Sequence, residues 1–263
     1  MDYKYKLEYK KNMSNNINSI AVLGSGTMGA GIAALCLEKG FKVLLLDISE
    51  EAVVKGKNLI LDEKYKMLSD KTFISNLEIG VFSKDFSKIS EYDWICEAVV
   101  EDIDIKKDIF NKIEEHRKDG SIVSSNTSGI PLRDIVKGMP DRMLRDVCIT
   151  HFFNPVKVMK LCELIPGNQT SEKVKKTLKI FLGDILGKGV VNGKDTVNFI
   201  GNRIGCFFML KGLYEGRMAR KNNITIEKMD ALLSKPVGLP PTGLYGLIDL
   251  IGLDVMYSVG KNL

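Results

Sequence analysis

His151 is one of only two histidines in the 263-residue chain, and it stands in the run HFFNPVKVMKLCELIP with a carboxylate, Glu163, twelve residues further on. An imidazole is the side chain that changes charge near neutrality, and a nearby carboxylate favours its charged form, so such a pair is suited to taking and returning a proton. A competing reading is structural: a histidine in an apolar, strand-like run is equally a core residue whose ring nitrogens are satisfied locally. The other histidine, His116 in EEHRKDG, falls at an expected helix end and reads as a surface residue interacting with the helix C-terminus.

A second set of residues is suited to holding a dinucleotide. Gly24-Ser25-Gly26-Thr27-Met28-Gly29 follows a short apolar run and opens an Ala-rich, helix-like stretch. In that setting Gly24 permits a tight turn, Gly26 lets the backbone approach a pyrophosphate, and Gly29 lets helix and strand pack closely, with the helix N-terminus facing the phosphates. A lone G-x-G-x-x-G is equally just a turn. Here Asp47 ends the next apolar run, where a carboxylate accepts hydrogen bonds from a ribose 2′-OH and repels a 2′-phosphate, so NAD is expected rather than NADP.

Polar residues also cluster at the ends of later strands. Glu97 and Glu101 flank AVV, Lys106 follows in the next helix, and SSNTSGI (Ser124 to Ile130) gathers hydroxyls and an amide after another strand. A charged connection and a polar turn are the plain readings. Ligands of open α/β sheets, however, bind at the carboxyl ends of strands, which would bring Glu101 near the nicotinamide half of the cofactor. Asn202-Arg203 opens a later helix, where a polar pair is usually just solvated.

The elements that must position these groups follow a βαβ pattern. After the first unit come a Lys-rich helix (about 50–68), strands at EIGVF and DWICEAVV, a helix at IDIKKDIFNKIEEHRK, strands at SIVSSN, DVCITHFF and MKLCELIP, a helix over about 171–186, and a strand at KGVVNG. The alternation as far as SIVSSN predicts a parallel, doubly wound Rossmann-type sheet, and the later strands continue the apolar pattern. From Thr196 the pattern is helical only. The expected organisation is a basic tail over residues 1–18, a dinucleotide-binding domain over 19–193, and a smaller all-α domain over 194–263.

Composition narrows the function classes. No apolar run approaches the length of a membrane span, the N-terminus lacks a secretory h-region, and the net charge of +5 is dispersed rather than gathered into a basic stripe for nucleic acid. Dispersed lysines do suit an anionic ligand such as a coenzyme A thioester. The five cysteines are scattered without C-x-x-C or metal-ligand spacing, as expected of reduced thiols in a cytoplasmic core.

Taken in order, GSGTMG, Asp47, EAVVED, SNTSGI, HFFNPVKVMKLCELI, NFIGNRI and GLIDLIGLD resemble the L-3-hydroxyacyl-CoA dehydrogenases from about Ile20 to the last residues. The resemblance implies NAD as cofactor, an acyl-CoA substrate and a role in fatty-acid metabolism. It implies His151 as general base, Glu163 as the carboxylate orienting it, and Ser128 and Asn202 as groups positioning the substrate's 3-oxygen. Gly24, Gly26, Gly29, Asp47, Glu101, Lys106 and Ser128 fall where that family contacts NAD, and Thr27 and Met28 lie within the same fingerprint. Asn154 is expected to shape the turn before Pro155. Another β-hydroxyacid dehydrogenase is disfavoured, since those resemble a lysine-based site.

Two departures from the family pattern carry expectations of their own. Asn198-Phe199 replaces the glycine-phenylalanine common before the helix that carries Asn202; asparagine is a good N-cap, so the helix is expected to start there. The chain also ends soon after GLD, so the helical domain reads as truncated, and the segment after Asp47, which in that family helps to hold the acyl-CoA, is shorter than usual. The expectation is therefore an active dehydrogenase that self-associates, with a truncated NAD-binding protein, or a fragment of a multifunctional enzyme, as the alternative.

Overall fold

The structure is a computed structural model that describes residues 17–239, 241–253 and 256–257. The expected tail, residues 1–18, lies outside these but for its last two positions. Apolar runs and helices alternate as expected: β1 (Ser19–Leu23), α1 (Thr27–Glu38), β2 (Lys42–Asp47), α2 (Glu50–Leu61), β3 (Leu77–Val81), β4 (Trp94–Glu97), α3 (Ile103–His116), β5 (Ile122–Ser125), β6 (Val147–Phe152), β7 (Leu161–Pro166), α4 (Glu172–Ile180) and β8 (Gly189–Asn192). Side-chain caps fix several helix starts. Ser49 accepts from the Ala52 N–H, Asp102 from the Asp104 and Ile105 N–H groups, and Ser171 from the Val174 N–H.

All eight strands join one sheet in the order β3-β2-β1-β4-β5-β6-β7-β8. The first six are parallel, and the chain switches direction of winding between β1 and β4, the crevice where such sheets bind dinucleotides. Central strands are buried on both faces and read as continuous apolar runs for that reason. Helix α1 lies against them through nine consecutive buried residues, Gly29 to Leu37. Trp94 packs edge-on against Phe181, which also meets Phe41, with ring centroids 5.4 and 5.3 Å apart.

The apolar pattern left the direction of the later strands open. β7 runs antiparallel to β6, with β8 parallel to β7. The reason lies in the connection: residues 153–160 are too few for the dozen or more that a crossover between parallel strands needs. The Lys-rich helix is also shorter than read, ending at Leu61, because Asp62 turns extended and its carboxylate takes the Lys64 N–H at 2.8 Å.

The five cysteines are reduced and buried. Burial pushes the Cys96 thiol up to about 12 and raises Cys148 well above its ordinary value.

The chain divides into two compact units after Asp195. The second contains α5 (Gly201–Lys221), α6 (Ile226–Leu232) and α7 (Gly243–Ile251), with a small core of Cys206, Met209, Leu244, Ile248 and Met256. Many apolar side chains remain exposed on it, among them Ile204, Phe207, Leu232, Leu250 and Leu253. Asn198 does not cap α5. It and Phe199 have left-handed backbones (φ 59° and 46°), whereas an N-cap is extended, and the helix starts at Gly201. Asparagine is the side chain that best tolerates that conformation after glycine, which accounts for its use at this position. No described helix is long and apolar enough to cross a membrane.

Candidate active site

The reversal of β7 determines where Glu163 lies. In the antiparallel register His151 faces Glu163 directly, and the imidazole Nδ1 lies 2.7 Å from the carboxylate Oε2. Both side chains are buried, at 3% and 1% exposure, so the contact is not weakened by water. An ionised carboxylate only accepts, so Nδ1 carries the proton and the basic lone pair of the neutral ring is on Nε2. The His151 ring also packs beside Phe153, centroids 4.4 Å apart. The loop that follows, with a cis Asn154–Pro155 peptide, is tied down by two lysines. Lys188 Nζ donates to the Val156 and Met159 carbonyls, while Lys157 Nζ donates to Glu38 at 2.8 Å and to the carbonyl of Lys66 at 3.0 Å.

A polar network, buried at Lys106 and Glu97 and open to solvent at Glu101, holds the SNTSG turn next to β6. Glu101 Oε1 accepts from the Thr127 hydroxyl (2.6 Å) and the N–H groups of Ser128 (2.9 Å) and Gly129 (3.0 Å). Burial opposes its charge, but Lys106 and these donors outweigh it and hold the carboxyl below its usual range. Lys106, 1% exposed, places its ammonium 2.8 Å from Glu97 and 3.3 Å from Glu101. Glu97 in turn accepts the Ser125 hydroxyl at 2.5 Å and the Val99 N–H at 2.8 Å. Asn126 completes the arrangement: its N–H donates to the Glu97 carbonyl and its Oδ1 accepts from the Phe152 N–H, the residue after His151.

At the switch point Gly24 turns the chain with φ 102°, and a Cβ there would lie 2.5 Å from the Ala98 carbonyl oxygen. A Cβ on Gly29 would meet the Gly24 carbonyl at 1.9 Å, so strand and helix pack as closely as the fingerprint requires. Gly26, the N-cap of α1, faces open space. Beyond it a cavity of about 460 Å³ is lined by Gly26, Thr27, Met28 and Asp47 on one side and by Ile48, Val100 and Ile105 among its apolar walls. A bare helix N-terminus, apolar walls for a base and a carboxylate for a ribose together fit a dinucleotide.

The structure thus brings His151, Glu163, Ser128, Glu101, Lys106 and the glycine turn with Asp47 to the carboxyl edge of the parallel strands of the first unit. Asn202 stands in the first turn of α5, in the second unit. His116 ends α3, as expected, with its ring 5.7 Å from that of Phe86. Sequence reasoning assigned no role to Glu97 or Asn126, whose partners are remote in the chain. Their only signal was a polar residue at the end of a strand that is otherwise apolar.

Comparison with known proteins agrees with this geometry. Residues 19–196 match the 3-hydroxyacyl-CoA dehydrogenase NAD binding domain, and residues 199–263 match the C-terminal domain of the same family. A "Probable 3-hydroxyacyl-CoA dehydrogenase" of Bacillus subtilis is 38% identical over 95% of this chain and 34% of its own length. Among solved structures, FadB2 of M. tuberculosis superposes with a TM-score of 0.85 at 27% identity, covering 94% of this chain and 87% of that one. An (S)-3-hydroxybutyryl-CoA dehydrogenase from Ralstonia eutropha gives 0.79 at 30% identity, covering 94% and 86%. The chain spans about a third of the length of the first curated relatives it matches. With an NAD-binding unit and a helical unit each matched to the same family, the chain belongs to the 3-hydroxyacyl-CoA dehydrogenases.

Proposed function

We propose that this chain catalyses the reversible, NAD-dependent oxidation of an L-3-hydroxyacyl-CoA to the 3-ketoacyl-CoA in fatty-acid metabolism. The observation that carries the reading is the buried 2.7 Å contact between His151 Nδ1 and Glu163. NAD, when bound, supplies the hydride acceptor for C3 of the substrate. Gly26, Thr27, Met28 and Asp47 would hold it, with Glu101 and Lys106 securing the turn that carries Ser128.

His151 supplies the acid–base chemistry. Its neutral Nε2 takes the proton of the substrate 3-hydroxyl as the C–O bond gains carbonyl character. Glu163 keeps the proton on Nδ1 and stabilises the imidazolium that results, in surroundings that exclude water. In the reverse direction the same imidazolium returns its proton to the 3-oxygen. Ser128 and Asn202 are assigned to positioning that oxygen. The test is turnover of 3-hydroxybutyryl-CoA with NAD, followed as NADH absorbance. His151→Gln should lower kcat by roughly 10²–10⁴, the usual worth of a general acid–base group, with NADH affinity little changed. A variant with nearly full turnover would return His151 to the role of a core residue.

A further inference from the structure

Asp47, assigned above to the cofactor ribose, is not a freely rotating carboxylate. Its Oδ2 accepts both the N–H and the hydroxyl of Ser25, each at 2.6 Å, and its Oδ1 accepts the Ile48 N–H at 2.6 Å. A carboxylate offers about four lone-pair sites. Three are therefore taken, and the one left is on Oδ1. Ser25 itself is 4% exposed and wedged between the strands and α2. Its single hydroxyl proton has two acceptors in reach, Asp47 Oδ2 at 2.6 Å and the Ala52 carbonyl at 2.8 Å, and the charged, nearer carboxylate is the stronger of the two; a Cβ on Gly56 would sit 2.5 Å from the Ser25 carbonyl oxygen, so α2 closes on this residue.

This geometry has a consequence for the choice between NAD and NADP. Repulsion discriminates only if the repelling charge cannot swing aside. A carboxylate held by one weak donor would rotate and relieve the clash with a 2′-phosphate. Here rotation breaks two charge-assisted bonds to a residue that cannot follow it. We propose that Ser25, inside the glycine turn, is a specificity-determining residue: its hydroxyl locks Asp47 in the orientation whose free Oδ1 site accepts the ribose 2′-hydroxyl and excludes a 2′-phosphate. This proposal rests on the assignment of Asp47 to the ribose.

The test is fluorescence titration of the full chain with NADH and with NADPH, comparing the ratio of their dissociation constants. Ser25→Ala and Ser25→Gly both keep the backbone N–H donor and remove the hydroxyl, and thermal melting establishes that at least one is folded. Each should narrow the preference for NADH by about three- to tenfold, the scale of one net hydrogen bond. Asp47→Ser should narrow it further, and adding Ser25→Ala to Asp47→Ser should leave the ratio where Asp47→Ser put it, because the hydroxyl acts through the carboxylate. Equal weakening of both cofactors by the Ser25 variants, or the same narrowing with and without Asp47, would reduce Ser25 to packing of the turn and overturn the proposal. If Asp47→Ser itself leaves the ratio unchanged, the ribose assignment fails and the proposal falls with it, a result distinguishable from the first two.

Discussion

Glu163→Gln is the sharpest probe at the scale of single residues, because the two side chains have nearly the same shape. A glutamine amide can turn its NH₂ toward Nδ1 of His151, and that favours the tautomer whose proton is on Nε2, where the substrate hydroxyl must be received. The expected result is a loss of kcat of about 10²–10⁴ with little change in NADH binding. The pair was legible through the resemblance of HFFNP and a glutamate twelve residues on to the family's motif; the residues alone left His151 equally a core histidine. Glu97, Asn126 and Ser25 were not readable in the same way. Each is a common polar residue beside a turn, and its role depends on partners that only the sheet brings near, such as Glu97 with Ser125 at 2.5 Å.

Among the elements, the turn after β5 depends most on charge. Glu101 holds three donors of that turn, and its carboxyl is held below the usual range by Lys106 and those donors against the opposing effect of burial. A depressed carboxyl stabilises the fold fully above its unfolded value, about 4.3, and the contribution is lost as pH falls through the lower folded value. The melting temperature of Glu101→Gln should therefore lie below that of the unaltered protein at pH 7, with the gap closing as the pH is lowered toward 3. A gap independent of pH would show that the charge is not what holds the turn. The element order was readable from periodicity because central strands buried on both faces are apolar throughout. The direction of β7 was not legible, since strands look alike in either direction. What decides it is the length of residues 153–160, and that short return also brings Glu163 opposite His151. The start of α5 was misread: the side chain of Asn198 suits a cap, but its backbone is left-handed.

For the whole molecule, the apolar residues of the second unit matter most. A groove of about 450 Å³ runs along α5 and α6, lined by Ile204, Phe207, Gly212, Met229 and Leu232, and Phe207 is 71% exposed. Apolar patches of this kind mark association surfaces on otherwise polar proteins. We propose that the chain self-associates through this face, and Phe207→Glu should convert the assembly to monomers in light scattering. A monomer at tens of micromolar before any substitution would overturn the assignment. The buried cysteines of the first unit lead elsewhere. Alkylation needs a thiolate, and Cys96, Cys148 and Cys162 sit on β4, β6 and β7 of the one sheet with their ionisation suppressed by burial. Iodoacetamide should leave these three untouched in the native protein and label them only as the sheet opens. Their labelling rate then measures sheet opening, and a bound cofactor that stabilises the first unit should slow it.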